Sequence, residues 1–230
     1  MSVELAAVIA VILVAMMFDF TNGFHDAANA IATSVSTRAL TPGVALLVAA
    51  IGNFVGAHFG TNVAKTVGDG LVVLPHGLAS LGVVFAGVVG AIAWNLLTWY
   101  FGLPSSSSHA LFGGVVGATL FATGGHVQWG NIVDKVLVPM VASPLVGFVL
   151  GVLVMFLLLW TIKGLATYAQ SGPGTASPLR RRIQTLVQPK PLNTIFRWMQ
   201  TASAAAMAVG HGMQDAAKTM GIIVLALYVG

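Results

Sequence analysis

Cysteine is absent from this 230-residue chain. There can be no disulfide framework, no thiolate-bound metal and no cysteine nucleophile. Charge is nearly as scarce: Asp, Glu, Lys and Arg make up 7% of the residues, against about 25% in a soluble domain. So few charges exclude an ordinary cytosolic enzyme, a disordered chain and a nucleic-acid binder. Ten Lys and Arg face six Asp and Glu. Six of those ten fall between Lys163 and Arg197, so the basic balance is local. What is present instead is apolar, 57% of all residues. The composition predicts an all-α polytopic membrane protein, multi-pass in the cell (plasma) membrane, with the lipid bilayer as its main surrounding.

A helix rises about 1.5 Å per residue, so some 20 apolar residues span the hydrocarbon core. Leu78 to Phe101 and Val136 to Ile162 are uncharged runs of that kind, and Ala39 to Ala64 is another, with Pro42 suited to a helix start. The run Leu5 to Phe18 is short, but it continues through a polar stretch to about Val35. A signal peptide is the alternative reading of this run, and it is not the expected one, because no basic residue precedes it. The runs are apolar all round, without the alternation of a transmembrane β-strand. Lys163 to Arg197 holds six basic residues, no acidic one, and several Pro and Gly. It reads as a cytoplasmic loop by the positive-inside rule. Five crossings before it would put the N-terminus outside. Asn193 to Gln200 reads as an interfacial helix.

Two hydrophobic regions carry one polar interruption. Asn22-Gly23-Phe24-His25-Asp26-Ala27-Ala28-Asn29-Ala30 aligns with His211-Gly212-Met213-Gln214-Asp215-Ala216-Ala217-Lys218-Thr219. Gly, Asp, Ala and Ala coincide at a constant offset. An Asp at mid-membrane costs about 2.5–3.5 kcal/mol on the insertion scale and usually marks an ion or substrate path. Gly23 and Gly212 permit local unwinding. Broken helices would offer N–H groups to an anion and carbonyls to a cation. The expected architecture is an inverted-repeat secondary transporter with broken helices. Residues 1–162 form its first transmembrane repeat, 163–199 a basic cytoplasmic linker with an interfacial segment, and 200–230 the start of a second, incomplete repeat.

Pro104-Ser105-Ser106-Ser107-Ser108-His109 stands between two apolar regions without Gly or charge. Pro104 suits a first helical turn. The hydroxyls and free N–H groups after it would make a donor-rich pocket for a tetrahedral oxyanion, in a re-entrant element. Ser107, His109 and Asp26 could be gathered into a triad, but no G-x-S-x-G elbow accompanies them, and no enzyme is expected. His58, His76 and His126 lack metal-ligand spacing.

These motifs resemble those of the inorganic phosphate transporter (PiT) family, bacterial type. Gly23 to Ala30 is similar to its first-half signature, His211 to Lys218 to its second-half signature, and Pro104 to His109 to its P-x-S-[ST]-[ST]-H element. The resemblance covers essentially the whole chain. It implies phosphate symport by alternating access, driven by protons or sodium, with metal-phosphate as a variant cargo and no further cofactor. It implies that Ser106, Ser107, Ser108, Asn29 and Lys218 contact phosphate. Asn22, Asp26, Gln214 and Asp215 would handle the coupling cation. Any metal ligands are left open, and a homo-oligomer is compatible. The family has a second P-x-S-x-x-H element after the second Asp motif, whereas Gly230 ends this chain inside an apolar stretch, so the expectation is a truncated second repeat. Asn53 stands where some animal relatives are acidic, which weakens a sodium assignment borrowed from them. Sulfate or another oxyanion could use the same hydroxyls, and an ion channel with Asp selectivity residues is a further alternative.

Overall fold

The computed structural model describes residues 2–59, 70–170 and 177–230, with the side chains of Ala27 and Asn29 also outside the description. The described chain is almost wholly helical. In order come α1 (Val3–Ser36), α2 (Pro42–Ala57), β1 (Val72–Val73), α3 (Leu78–Tyr100), α4 (Ser107–Leu120), β2 (His126–Val127), α5 (Trp129–Ile132), a π-helical stretch (Val133–Leu137), α6 (Val138–Gln170), α7 (Pro178–Leu186) and α8 (Pro189–Val229). Among the described residues, three helical stretches are long and apolar enough to cross a membrane: Val3–Ser36, Leu78–Tyr100 and Trp129–Gln170. Membrane residence and the helical class therefore agree with the composition.

Helix starts follow local chemistry. The Ser2 hydroxyl accepts the Leu5 N–H at 3.2 Å to cap α1. Pro42, Pro178 and Pro189 occupy first turns, where a missing N–H costs nothing. The two strands form a single short antiparallel ladder, Val72 with Val127 and Val73 with His126.

Three expectations need correction. The helices are not broken: α1 runs straight through Gly23 and α8 straight through Gly212. In hydrocarbon a broken helix leaves N–H and C=O groups without partners, and here the backbone ladders stay closed. The described parts of the stretch 163–199 are mostly helical, and residues 171–176 lie outside the described residues. Residues 163–170 end α6, 178–186 form α7, and α8 begins at Pro189 and continues without a break past residue 200. Gln184 ties α7 to α6 by donating its side-chain amide to the Ala169 carbonyl at 2.7 Å. Finally, the run Ala39 to Ala64 yields a 16-residue helix ending at Ala57, and its tail from residue 60 lies outside the described residues.

Gly212 has a packing role instead of a hinge role. A Cβ there would collide with the Asn53 backbone, one at Gly56 with the backbone of Val209 and Met213, and one at Gly52 with Ala208. Ala204, Ala208 and Gly212 on α8 thus meet Ala45, Ala49, Gly52 and Gly56 on α2, all buried. Small residues at intervals of three and four bring two backbones together where lipid supplies no hydrophobic drive for association. Gly87 and Gly114 do the same between α3 and α4.

Helices α1 and α8 run antiparallel. Gln200 donates to the Thr33 hydroxyl at 2.9 Å near one end, and Val8 lies against Gly230 at the other. The apolar core gathers Val11, Ala15 and Phe18 of α1, Leu81, Val84 and Val88 of α3, Leu111 and Val115 of α4, and Ile222, Leu225 and Val229 of α8. Stretch Trp129–Gln170 is different, since its most apolar window is 0% buried. Its apolar surface faces outward, as a lipid-facing helix requires.

Candidate functional site

The polar residues of α1 and α8 meet in the middle of this antiparallel pair. Asp19, Asn22 and Asp26 are three and four residues apart, which sets them on one face of α1. His211, Asp215 and Lys218 are four and three apart, on one face of α8. Read in opposite directions, the two ladders have one spacing and engage. Asn22 Nδ2 donates to Asp215 Oδ2 at 2.7 Å, and His211 Nε2 lies 4.0 Å from Asp26 Oδ2. In the register of the repeated motif, Asn22 corresponds to His211 and Asp26 to Asp215. The two contacts are therefore reciprocal.

Helix α4 adds a third wall. Its Ser107 hydroxyl, 2% exposed, lies 3.3 Å from Asp26 Oδ2 as donor and 3.3 Å from Lys218 Nζ as acceptor. Lys218 Nζ also bonds Asp215 Oδ1 at 2.6 Å. His211 Nδ1 sits 3.2 Å from Asp215 Oδ2 and 3.1 Å from Asn53 Oδ1 of α2. Asp26 and Lys218 are each 8% exposed, so both charges are held largely out of solvent. His25 Nδ1 stands 3.9 Å from Asp26 Oδ1. The Asn22 Oδ1 acceptor is buried without a hydrogen-bond partner among the described residues.

Of the sequence-predicted residues, Asn22, Asp26, Ser107, Asp215 and Lys218 come together in this cluster. Ser108 is half-buried. Two others are placed elsewhere. Gln214 is exposed, because the next residue on a helix is turned by about 100° and Asp215 takes the inward direction. Ser106 is also exposed and caps α4, its hydroxyl accepting the His109 N–H at 3.5 Å. With Ser105 and His109 it lines a separate cavity of about 460 Å³ beside Trp94. The Asn29 side chain lies outside the described residues.

Three participants were absent from the predicted set: His211, Asn53 and Asp19. Asp19 lines a cavity of about 200 Å³ together with Asn53, His211 and Asp215. Helical spacing was the signal that could have found Asp19 and His211, seven and four residues from the two Asp. Nothing in the sequence pairs Asn53 with His211.

Chemically, the cluster joins a cation receptor to an anion donor set. Asp26, His211 and Asp215 each offer one ligand atom, all within 4.8 Å of one another. Ser107 and Lys218, on the flank, present a hydroxyl and an ammonium, the groups an oxyanion accepts from.

Residues 22–229 match the phosphate transporter family, PHO4. The chain belongs to that family. A probable low-affinity inorganic phosphate transporter of Streptomyces halstedii is 52% identical over 93% of this chain and 89% of its own length. Its counterpart from Mycobacterium leprae (strain TN) is 43% identical over 99% of this chain, and the chain spans 49% of that protein. The same holds for Mycobacterium tuberculosis (strain ATCC 25618 / H37Rv), at 42% identity and 49% of its length. The chain thus spans about half the length of several relatives. Among solved structures, "The sodium-dependent phosphate transporter" superposes with a TM-score of 0.61 at 24% identity, over 90% of this chain and 55% of that one. That likeness is one of fold. These relatives are named as transporters, not as enzymes.

Proposed function

We propose that the chain carries inorganic phosphate across the plasma membrane together with a cation, by alternating access in an inverted-repeat scaffold. The observation that carries this reading is the meeting of Asp26 and Asp215 with the Ser107 hydroxyl and the Lys218 ammonium in one buried cluster. A phosphate mono- or dianion brought beside two carboxylates in a low-dielectric setting is prohibitively unfavourable by itself. A cation bound at Asp26 and Asp215 offsets that charge, so the two solutes travel together or not at all. The reciprocal contacts of the antiparallel α1–α8 pair favour an inverted repeat. Helix α4 has 14 residues, about 21 Å of helix against a hydrocarbon core of about 30 Å. That length suits a re-entrant element better than a crossing one.

The coupling ion is a proton or sodium, and the ligand triplet of Asp26, His211 and Asp215 would equally suit a divalent metal carried with phosphate. One experiment separates these. The protein is reconstituted in vesicles, and labelled phosphate uptake is followed under an imposed proton gradient, an imposed sodium gradient, or with magnesium or calcium added. Saturable uptake that follows one of the three is the expected result. Uptake that is unsaturable and indifferent to all of them would indicate a channel and overturn the reading. Stronger competition by sulfate than by unlabelled phosphate would reassign the cargo.

A further inference from the structure

We infer that Lys218 is a tethered stand-in for one coupling cation: its ammonium holds, at Asp215, a place a transported cation would otherwise take. The inference rests on the symport reading above and deepens it. Lys218 Nζ lies 2.6 Å from Asp215 Oδ1 on the same helix, three residues away, and 8% of the residue is exposed. An ammonium so placed neutralises the carboxylate as a bound cation would, yet it cannot leave with the cargo. It also reaches the anion side, since the Ser107 hydroxyl 3.3 Å away is itself 3.3 Å from Asp26.

The repeat shows that this charge is not a general requirement of the motif. In the register that equates Asp26 with Asp215, the counterpart of Lys218 is Asn29, an uncharged amide. Within the nine-residue motif the two halves agree in their carboxylate and differ by a full charge at this one position, whereas before it Asp19 of α1 has Ala208 as its counterpart on α8. Each carboxylate beside a dehydrated oxyanion needs positive charge nearby. On the α8 side the protein supplies that charge permanently. The consequence is stoichiometric: with Lys218 present, one cation fewer accompanies each phosphate.

The test compares the full chain with Lys218→Asn, which copies Asn29, and with Lys218→Arg. In proteoliposomes, the reversal potential of the phosphate-coupled current gives charge moved per phosphate, whichever cation carries it. Lys218→Asn is expected to move one more elementary charge per phosphate than the wild type, and Lys218→Arg the wild-type amount. An unchanged ratio in Lys218→Asn overturns the inference. If Lys218→Asn does not transport, melting temperature is titrated with sodium chloride against choline chloride, and with acid. Cation binding to the emptied place stabilises the folded state by mass action. The melting temperature of Lys218→Asn should therefore rise saturably above the wild-type response, and adding Asp215→Asn should remove the rise. A response no larger than that of the wild type sinks the proposal. Absence of phosphate uptake by the wild type would instead sink the phosphate reading, and the melting titration, which needs no phosphate, still decides the role of Lys218.

Discussion

Asp215 has a fixed cation on one oxygen and an amide and an imidazole on the other. Removing its charge alone strands Lys218, and an uncompensated buried charge costs about 3–5 kcal/mol. Asp215→Asn should therefore melt well below the wild type, while Asp215→Asn with Lys218→Asn should regain part of the loss. Thermal unfolding of the purified set measures this, and strict additivity of the two losses would refute the coupling. At Asp26 the neighbours are the Ser107 hydroxyl and two imidazoles within 4.0 Å. Asp26→Asn should fold and yet lose concentrative phosphate uptake in the vesicle assay. Gradient-driven accumulation at the wild-type level in that variant would be incompatible with the mechanism. Ser107→Ala removes one hydroxyl donor, a contact of about 1.5–3 kcal/mol when one partner is charged. It should raise the phosphate KM by about tenfold or more, whereas Ser106→Ala, on the exposed cap, should not.

At the scale of the element, the pair α2–α8 depends on the absence of side chains. Gly212 and Gly56 face backbone at distances that no Cβ could occupy, whereas nothing lies within 4 Å of a Cβ at Gly210. Gly212→Ala should force the helices apart and destabilise by about 1–3 kcal/mol. Gly210→Ala should be neutral, or stabilising by up to about 1 kcal/mol through helix propensity. Melting temperatures of the two variants provide the comparison. The separation also matters for the site, because α2 carries Asn53, which bonds His211. Gly212→Ala should thus weaken uptake as well as stability, though it removes no polar group. Helix continuity belongs to this scale too. The motif glycines suggested unwinding, but the polar work is done by side chains, and the backbone keeps its own hydrogen bonds.

For the whole molecule, the basic segment Arg180–Arg182 sits on α7, beyond the end of the long apolar helix α6. Positive charge at the end of a span favours the cytoplasmic side. Since the chain has no cysteine, a single Arg181→Cys introduces a unique label. A membrane-impermeant maleimide should react with it in inside-out vesicles and not in intact cells. The reverse pattern would invert the orientation. The apolar surface of α6, unburied in the described chain, is consistent with lipid contact along its length.

The apolar runs, the scarcity of charge and the repeated Gly and Asp were enough to determine a membrane protein with two carboxylates matched in position. Periodicity and composition act within one helix, so they predicted α1, α3 and α6 and the site's chemical character. They could not say which residues meet across the bundle. Asn22 and Asp215 are 193 residues apart, as are no local rules. Which serine of the string turns inward was equally invisible, because Ser106, Ser107 and Ser108 are alike in type. The starting point and rotation of α4 chose Ser107, by packing Gly114 onto Gly87. Asp19 and Asn53 entered the site for the same reason. Their positions follow from the packing of α2 and α1 against α8, in which small residues set the approach of α2 to α8, a property of the packed bundle that no single segment contains.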